Sequence, residues 1–569
     1  MSVLVGRDQA CLERIQTGAC RKFIVITLGI LAVAVRLLLI NQPFIDRWSW
    51  RQSDVAAIAR NFSENGFHFG HPQIDWAGDA HGYVGTEFPI LPFLAAIIYK
   101  VAGIHEWIGR SEAIILFAVS LPFFFLLVRD TWHGLPGHDS SAECRCHVAA
   151  IWATFFYAFA PLNIFAGRSF MPDVPSLSLA IIGLYFFLRW TEHRALLCAP
   201  SGFETRCTNT EQDVRWMHRL QAYVPFFASV FAISLSILIK VTTIVIAAPL
   251  AYLAVAALYD RRGNKERRFP KPPGRSGDRP SLNFSAHRAP LQLIAFAAIT
   301  ILPSTVWYWH AYQIAERFYP HHFFGEGGVR IENFAWYWDI AQLTATSSLT
   351  PVLSMMAIIG VLVTPRGKYR WLFHWWLGAM ILFIILAGYG NRHPWYQLPL
   401  VPIAAGFAGA ACAFIASRIS SRIVAITLSI LVAGSFLLLA YLYVRHFYWS
   451  SAAVQLRDAG LELKKSTAPD SLIIAADIGD PTIFYYAERR GWNFLEKGGI
   501  YNGNPSDSRQ LIVDLEQLRS RGATHLVFIA STFWWLDYYP EFTQHLTESA
   551  TLMKASPEFR IYRLTPIRE

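Results

Sequence analysis

Between Asp46 and Phe62 the chain reads DRWSWRQSDVAAIARNF, directly after an apolar run. Asp46 and Asp54 bring carboxylates, the arginines bring fixed cations, and Trp48 and Trp50 bring large rings with a polar edge. Glu87 follows in GTEFPILP, Asp173 in GRSFMPDVP and Lys240 in LIKVTT, and Arg392, His393 and Tyr396 fall within GYGNRHPWYQLPL. Each of these groups borders or interrupts an apolar stretch, where an ionisable side chain is costly and tends to mark function. Carboxylates and cations gathered in one place suit a group transfer in which a phosphate leaves and a hydroxyl attacks. A cation offsets the charge that develops on the departing phosphate. A carboxylate takes the proton of the attacking hydroxyl in the transition state. A base working opposite the leaving group inverts the reacting carbon.

The elements that must position these groups follow from composition. Of 569 residues, 54% are hydrophobic and only 16% charged, against the roughly 25% charged usual in soluble domains. The apolar residues fall in runs of about 17–21, long enough to cross a bilayer as helices. The sequence therefore predicts a mainly α, polytopic integral membrane helical bundle. About eleven spans are expected, near 23–40, 111–128, 148–166, 175–190, 221–239, 241–258, 289–309, 350–364, 372–388, 398–416 and 423–443. The run Phe88–Ile104 contains two prolines and Lys100, and reads as a juxtamembrane or re-entrant segment within a large first outer loop.

Charge orients the bundle. The most basic stretch, DRRGNKERRFPKPPGRSGDRP (Asp260–Pro280), falls inside under this threading, with Arg7, Arg14, Arg21, Lys22, Arg366, Lys368 and Arg370. The net charge of +10 is thereby explained without nucleic acid. Cys11, Cys20, Cys144, Cys146, Cys198 and Cys207 fall inside as well, and Cys412 near an inner end, as reduced thiols would. CRCH (Cys144–His147) lacks the second ligand pair of a metal site. The first apolar run has no small-residue cleavage site and reads as a retained helix.

Residues 1–444 thus read as a membrane domain. From 445 to 569 the pattern changes to alternating helix and strand: VQLRDAGLELKKS helical, SLIIAAD a strand, PTIFYYAERRGW a helix, and LIVDLEQLRSRGATHLVFIAS a helix followed by a strand. A small extracytoplasmic α/β soluble domain is predicted. STFWWLDYYP within it suits core, or stacking on a carbohydrate.

The threading brings Asp46, Asp54, Glu87, Asp173, Lys240 and the Arg392–Tyr396 segment to one membrane face. Plain structural roles stand beside the chemical ones: Asp54 or Asp173 as a helix cap, Lys240 snorkelling to the interface, the tryptophans as an aromatic belt. A sugar carried on a polyprenyl phosphate fits the chemical reading, with the donor anchored in membrane lipid and its phosphate at the interface. The competing reading is a polytopic transporter or flippase for a lipid-linked saccharide, although no paired repeat is visible.

WRQSDVAAIARNF, TEFPILPFL, RSFMPD and HPWYQLPLVP together resemble the C-type glycosyltransferase superfamily, in the branch with dolichyl-phosphate-mannose protein mannosyltransferases and bacterial aminoarabinose transferases. The resemblance covers about 1–440. It implies a hexosyl- or pentosyltransferase that uses a polyprenyl-phosphate sugar donor and a lipid, glycan or protein acceptor. It implies action on the extracytoplasmic face of a membrane, here the bacterial inner membrane. The first-loop acid of such enzymes is often the first of an Asp-Glu pair, which this chain lacks; the catalytic base falls to Asp54, in phase with AAIAR, with Asp46 second. Glu87 and Asp173 match the other acidic positions, and some members bind a divalent metal ion between such carboxylates. Lys240, Arg392, His393 and Tyr396 are the donor-phosphate candidates, and Arg168 is a candidate to orient Asp173.

Overall fold

The computed structural model describes residues 18–132, 140–197, 209–268, 284–324, 328–363, 367 and 369–566. Its helices in chain order are α1 Gly18–Leu37, α2 Ser49–Asn65, α3 Ile90–Ala102, α4 Glu106–Thr131, α5 Ser140–Phe159, α6 Pro161–Ala166, α7 Asp173–Leu197, α8 Asn209–Ile239, α9 Ala247–Arg268, α10 Phe284–Arg317, α11 Phe334–Leu343, α12 Pro351–Val363, α13 Leu372–Leu386, α14 Leu400–Ala416 and α15 Arg422–Tyr448. Every expected span carries one of them. Two are interrupted: Pro161 breaks the third span into α5 and α6, and Val241–Ile246 is a 3-10 turn ahead of α9. A proline lacks the N–H that would continue the ladder, so the chain restarts there.

Among the described residues, four helical stretches are long and apolar enough to cross a bilayer unaided: Glu106–Thr131, Asp173–Glu192, Leu291–Arg317 and Arg422–Tyr448. Phe334–Ser348 and Pro351–Val363, bent by 108°, would make a fifth if they count as one span. Only 11% of the apolar window in α15 and 22% of that in α10 is buried, so both turn most of their apolar surface outward. That is the reverse of a water-soluble bundle and marks an integral membrane protein. The thirteen residues of α3 extend only about 20 Å, too short to cross. The basic run expected from Asp260 begins as the end of α9, and residues 269–280 lie outside the described residues, as do Arg7, Cys11, Arg14, Cys198, Cys207, Arg366 and Lys368.

Beyond α15 come α16 Val454–Ser466, β1 Leu472–Ala476, α17 Thr482–Ala487, β2 Gly491–Asn493, the hairpin strands β3 Glu496–Lys497 and β4 Ile500–Tyr501, α18 Ser508–Ser520, β5 Ala523–Ile529, α19 Trp534–Tyr538, α20 Pro540–Ser549, β6 Ala550–Ala555 and β7 Phe559–Leu564. The main sheet runs β2-β1-β5-β7-β6. β1 is parallel to β2 and β5, and β7 is antiparallel to β5 and β6. The stretch expected as one helix at PTIFYYAERRGW splits: Glu488 adopts φ 51° and ends α17, and Gly491–Trp492 starts β2. Trp535 and Tyr539 are core, whereas Trp534 and Tyr538 are exposed.

The sheet is not a free appendage. Ile58 and Phe62 of α2, with Trp76, Ala77 and Val84 of the following loop, share one apolar core with Leu456, Ile473, Phe484 and Val527. Backbone bonds reinforce the seam: Gly78 N–H donates to Gly491 O at 2.7 Å, and Gly491 N–H to Asp75 O at 3.0 Å. Helix α2 is thus enclosed between the membrane bundle and the sheet, and nearly every residue from Ser49 to Ser63 is buried.

Candidate active site

A polar helix can be buried only if its polar groups find partners, and the partners on α2 sort by face. With 3.6 residues per turn, Ser49 and Ser53 share one face, Trp50 and Asp54 the next, and Arg51 a third. Ser49 Oγ donates to Asp480 Oδ2 at 3.1 Å, and Ser53 Oγ meets Thr482 Oγ1 at 3.0 Å. Arg51 Nη2 donates to Glu87 Oε1 at 2.7 Å. Between these two anchored faces stands Asp54, 4% exposed, whose Oδ1 accepts from Trp76 Nε1 at 3.0 Å. Further along, Arg60 and Asn61 close on Asp75 at 2.5 Å and 3.0 Å, which fixes the loop that carries Trp76.

The second half of the site comes from three separate chain segments. Phe88 N–H donates to Leu238 O and Trp307 Nε1 donates to Thr86 O, so Glu87 is held against α8 and α10. Asp173 opens α7, where the helix dipole favours a carboxylate. Lys240 sits in extended backbone (φ −152°) just past α8. Its Nζ lies 3.0 Å from Glu87 Oε1 and 3.5 Å from Asp173 Oδ1, with the Tyr396 ring 5.2 Å away. Arg51, Glu87, Lys240 and Asp173 therefore form one buried charge network of two cations and two anions.

A third group is aromatic. The His393 ring stacks on Trp395 at 4.7 Å, and Trp48 and Trp50 close around the pair. Arg392 Nε donates to His393 Nε2 at 3.1 Å, which leaves the proton of the neutral ring on Nδ1. That nitrogen has no hydrogen-bond partner among the described residues, and neither has Asp173 Oδ2.

Proton affinities separate these groups. Burial pushes the Asp54 carboxyl up to about 7; the Trp76 bond and Arg51 pull it back, while Asp480 and Asp75 push it further. Burial alone would raise Glu87 too, but Arg51 and Lys240 outweigh it and hold that carboxyl down to about 2. One carboxylate is permanently ionised and the other titrates near neutrality, the pattern that assigns acid–base roles. Burial, then Arg392, Arg51 and Lys240, lower His393 to about 4, so it can offer a hydrogen bond but no positive charge.

Of the residues singled out in the sequence, Asp54, Glu87, Asp173, Lys240 and Tyr396 converge, with His393 and Arg392 beside them. Two take other places. Asp46 accepts from the Trp48 backbone N–H at 2.8 Å and from Gln52 Nε2 at 2.9 Å, so both its oxygens hold the start of α2. Arg168 does not orient Asp173. It donates to Leu39 O at 2.8 Å and lies over the Tyr448 ring, and the cation beside Asp173 is Lys240. A divalent ion between Glu87 and Asp173 does not fit this arrangement, because the Lys240 ammonium already occupies the space between them. Among the described residues no group of three or more His, Cys, Asp or Glu side chains is placed to hold a metal.

Sequence reasoning assigned no role to Arg51, Trp76 or Asp480. Arg51 lies one turn ahead of Asp54 only because the helix begins at Ser49, ahead of the Asp54 cap that the sequence suggests. Trp76 and Asp480 carry no local signal, since only the tertiary fold brings them to α2.

At the level of sequence, no family model matches the chain, and no curated protein does. Solved structures do match. ArnT from Cupriavidus metallidurans bound to undecaprenyl phosphate superposes with a TM-score of 0.55 at 13% identity, covering 96% of this chain and 97% of that one. The same protein in the apo state gives 0.57 at 13% identity, with 95% and 97% covered. The Archaeoglobus fulgidus oligosaccharyltransferase in the apo form gives 0.56 at 13% identity over 91% of this chain and 70% of that one. This chain shares the overall fold of these solved structures, in keeping with the resemblance read from the sequence motifs.

Proposed function

We propose that this chain is a membrane glycosyltransferase that moves a sugar from a polyprenyl-phosphate donor to a lipid, glycan or protein acceptor, on the extracytoplasmic face and with inversion. The observation that carries this reading is Asp54: a buried carboxyl titrating near neutrality, one turn from Arg51 and the Glu87–Lys240–Asp173 network, at the end of an apolar bundle. The fold shared with a protein that binds undecaprenyl phosphate supports the donor class.

In this reading Asp54 takes the proton of the acceptor nucleophile as the bond from sugar to phosphate breaks. Phosphate is a good leaving group and needs charge compensation more than protonation. The four network charges cancel, so an arriving phosphate draws Lys240 or Arg51 partly away from its carboxylates, with exposed Arg392 adding a further cation. The Nδ1–H of His393 supplies a neutral donor beside them. The half-buried Trp48 and Trp50 offer apolar faces of the kind that stack on sugar rings.

The test is a strain lacking the protein, complemented with wild type, Asp54→Asn or Asp46→Asn, with its glycolipids compared by mass spectrometry. Asp54→Asn is expected to lower product formation by roughly 10²–10⁴-fold at unchanged membrane abundance. Full product from both variants would reject a carboxylate base in the first outer loop.

A further inference from the structure

The loop that leaves β1, Asp477-Ile-Gly-Asp-Pro-Thr482, lies against the first turn of α2. Two side-chain bonds make the contact, Ser49 with Asp480 and Ser53 with Thr482, on the helix face next to the one that carries Asp54. The loop is held in a demanding shape. Ile478 and Gly479 both adopt positive φ, 62° and 75°. A β-branched residue there is a true outlier, of the sort that clusters at functional sites. Asp477 Oδ1 accepts from Gly479 N–H at 2.9 Å, while its buried Oδ2 has no hydrogen-bond partner among the described residues.

The position in the sheet is equally specific. β1 has β2 on one side and β5 on the other, both parallel to it. The chain leaves β1 toward one neighbour and later returns to the opposite side. Such a switch point is where open α/β sheets bind ligands, in the crevice beyond the carboxyl ends of the strands. Here that crevice faces α2.

We propose that the β1–α17 loop is a working part of the transferase site, and that Asp480 is a positioning residue that acts on Asp54 through its charge and through Ser49. This rests on Asp54 being the base, and adds what sets the pH at which it works. Four elements face Asp54 or the Trp76 indole that bonds it. Its own helix brings Arg51, which couples it to Glu87 and Lys240. The following loop brings Asp75 and the Trp76 N–H. The segment after α10 brings His322 against the Trp76 ring, where burial and Arg51 keep it neutral, at about 4. The sheet brings Asp480. Of these, only the two aspartates favour the protonated form of Asp54, and Asp75 is already matched by Arg60. Asp480 has no cation within ion-pair distance among the described residues, only the hydroxyl of Ser49 and the bonds at Thr482. Burial and Asp46 raise its own proton affinity, and those bonds lower it.

The test is an infrared pH titration of the full chain in detergent, which needs no substrate. The protonated-carboxyl band that disappears in Asp54→Asn reports Asp54. Removing the Asp480 charge is expected to lower its titration midpoint by about half a unit to one unit in Asp480→Asn. Asp480→Glu should restore the midpoint. Ser49→Ala, which weakens the ionised form of Asp480, should shift it the same way by less. A midpoint unmoved or raised in both Asp480→Asn and Ser49→Ala overturns the proposal, as does the absence of any band lost in Asp54→Asn. If Asp480→Asn does not fold, Ser49→Ala decides by the same criterion. Normal product formation by Asp54→Asn would reject the catalytic base and leave this titration readable.

Discussion

Asp54 is held where its ionised form is unwelcome, and that has a measurable cost to the fold. Its carboxyl is raised from 3.8 to about 7. Between these values the folded chain keeps a proton that the unfolded chain has released, so stability falls as pH rises from about 4 to about 7 and stays lower above that. The deficit is at most about 4 kcal/mol. Asp54→Asn removes it. That variant is expected to melt higher than wild type at pH 8 in detergent, with the difference vanishing near pH 4, while its transfer activity is lost. Equal melting temperatures at pH 8 would mean that Asp54 is not a strained group. Glu87 has the opposite sign: lowered to about 2, it stabilises the fold above its ordinary value of 4.5, and the contribution is lost as pH falls through 2. Glu87→Gln leaves Arg51 and Lys240 with Asp173 as their only anion in the network. It is expected to destabilise by about 3–5 kcal/mol, the cost of breaking a buried pair, read as a lower melting temperature at neutral pH.

At the scale of elements, the first outer loop and the sheet behave as one unit. Gly78 marks the seam: its φ is 59°, and a Cβ there would sit 1.8 Å from the Trp492 ring. Gly78→Ala must push the indole out of a full core or part the loop from β2. An overpacking cost of roughly 1–3 kcal/mol follows, with added strain from the positive φ. The expected readout is faster proteolysis in the loop that carries Trp76 and reduced transfer, although residue 78 lies outside the charge network. Unchanged proteolysis and activity would show that loop and sheet are not coupled. The same seam explains what could be read in the sequence. Period and composition announce α16, β1, α18 and β5, because each buries its own apolar face. They are silent on the order β2-β1-β5-β7-β6, and on Asp480 meeting Ser49 across 431 positions. Asp54, Glu87, Asp173 and Lys240 were legible because charge stands out against apolar sequence. Arg168 stood out equally and was misassigned, since conspicuous charge does not say which backbone carbonyl or carboxylate it will meet.

For the whole molecule, the geometry of α15 ties the sides of the membrane together. Its 27 residues extend about 40 Å, more than the roughly 30 Å hydrocarbon core. At its far end Gln42 Nε2 donates to Tyr448 O at 2.9 Å, and Ala453 N–H donates to Ile45 O at 3.0 Å. The end of α15 is therefore level with Asp46 and the start of α2, and the sheet follows directly. The short 417–421 turn lies at the opposite end. If α15 crosses, the charge network and the sheet share one side and that turn has the other. Single cysteines placed at Asp79, Arg418 and Tyr538, all exposed, in a background without the native thiols test this. Under the proposed extracytoplasmic placement, Asp79→Cys and Tyr538→Cys should react with a membrane-impermeant maleimide added outside sealed cells. Arg418→Cys should react only after permeabilisation. Labelling of positions 79 and 538 from opposite sides would contradict the contact between Asp79 and Arg521 at 2.8 Å. Labelling of positions 79 and 538 only after permeabilisation, with position 418 labelled from outside, would keep the fold but remove the proposed extracytoplasmic site, because a donor whose phosphate sits at one membrane face would meet this network only from the side on which Asp54 stands.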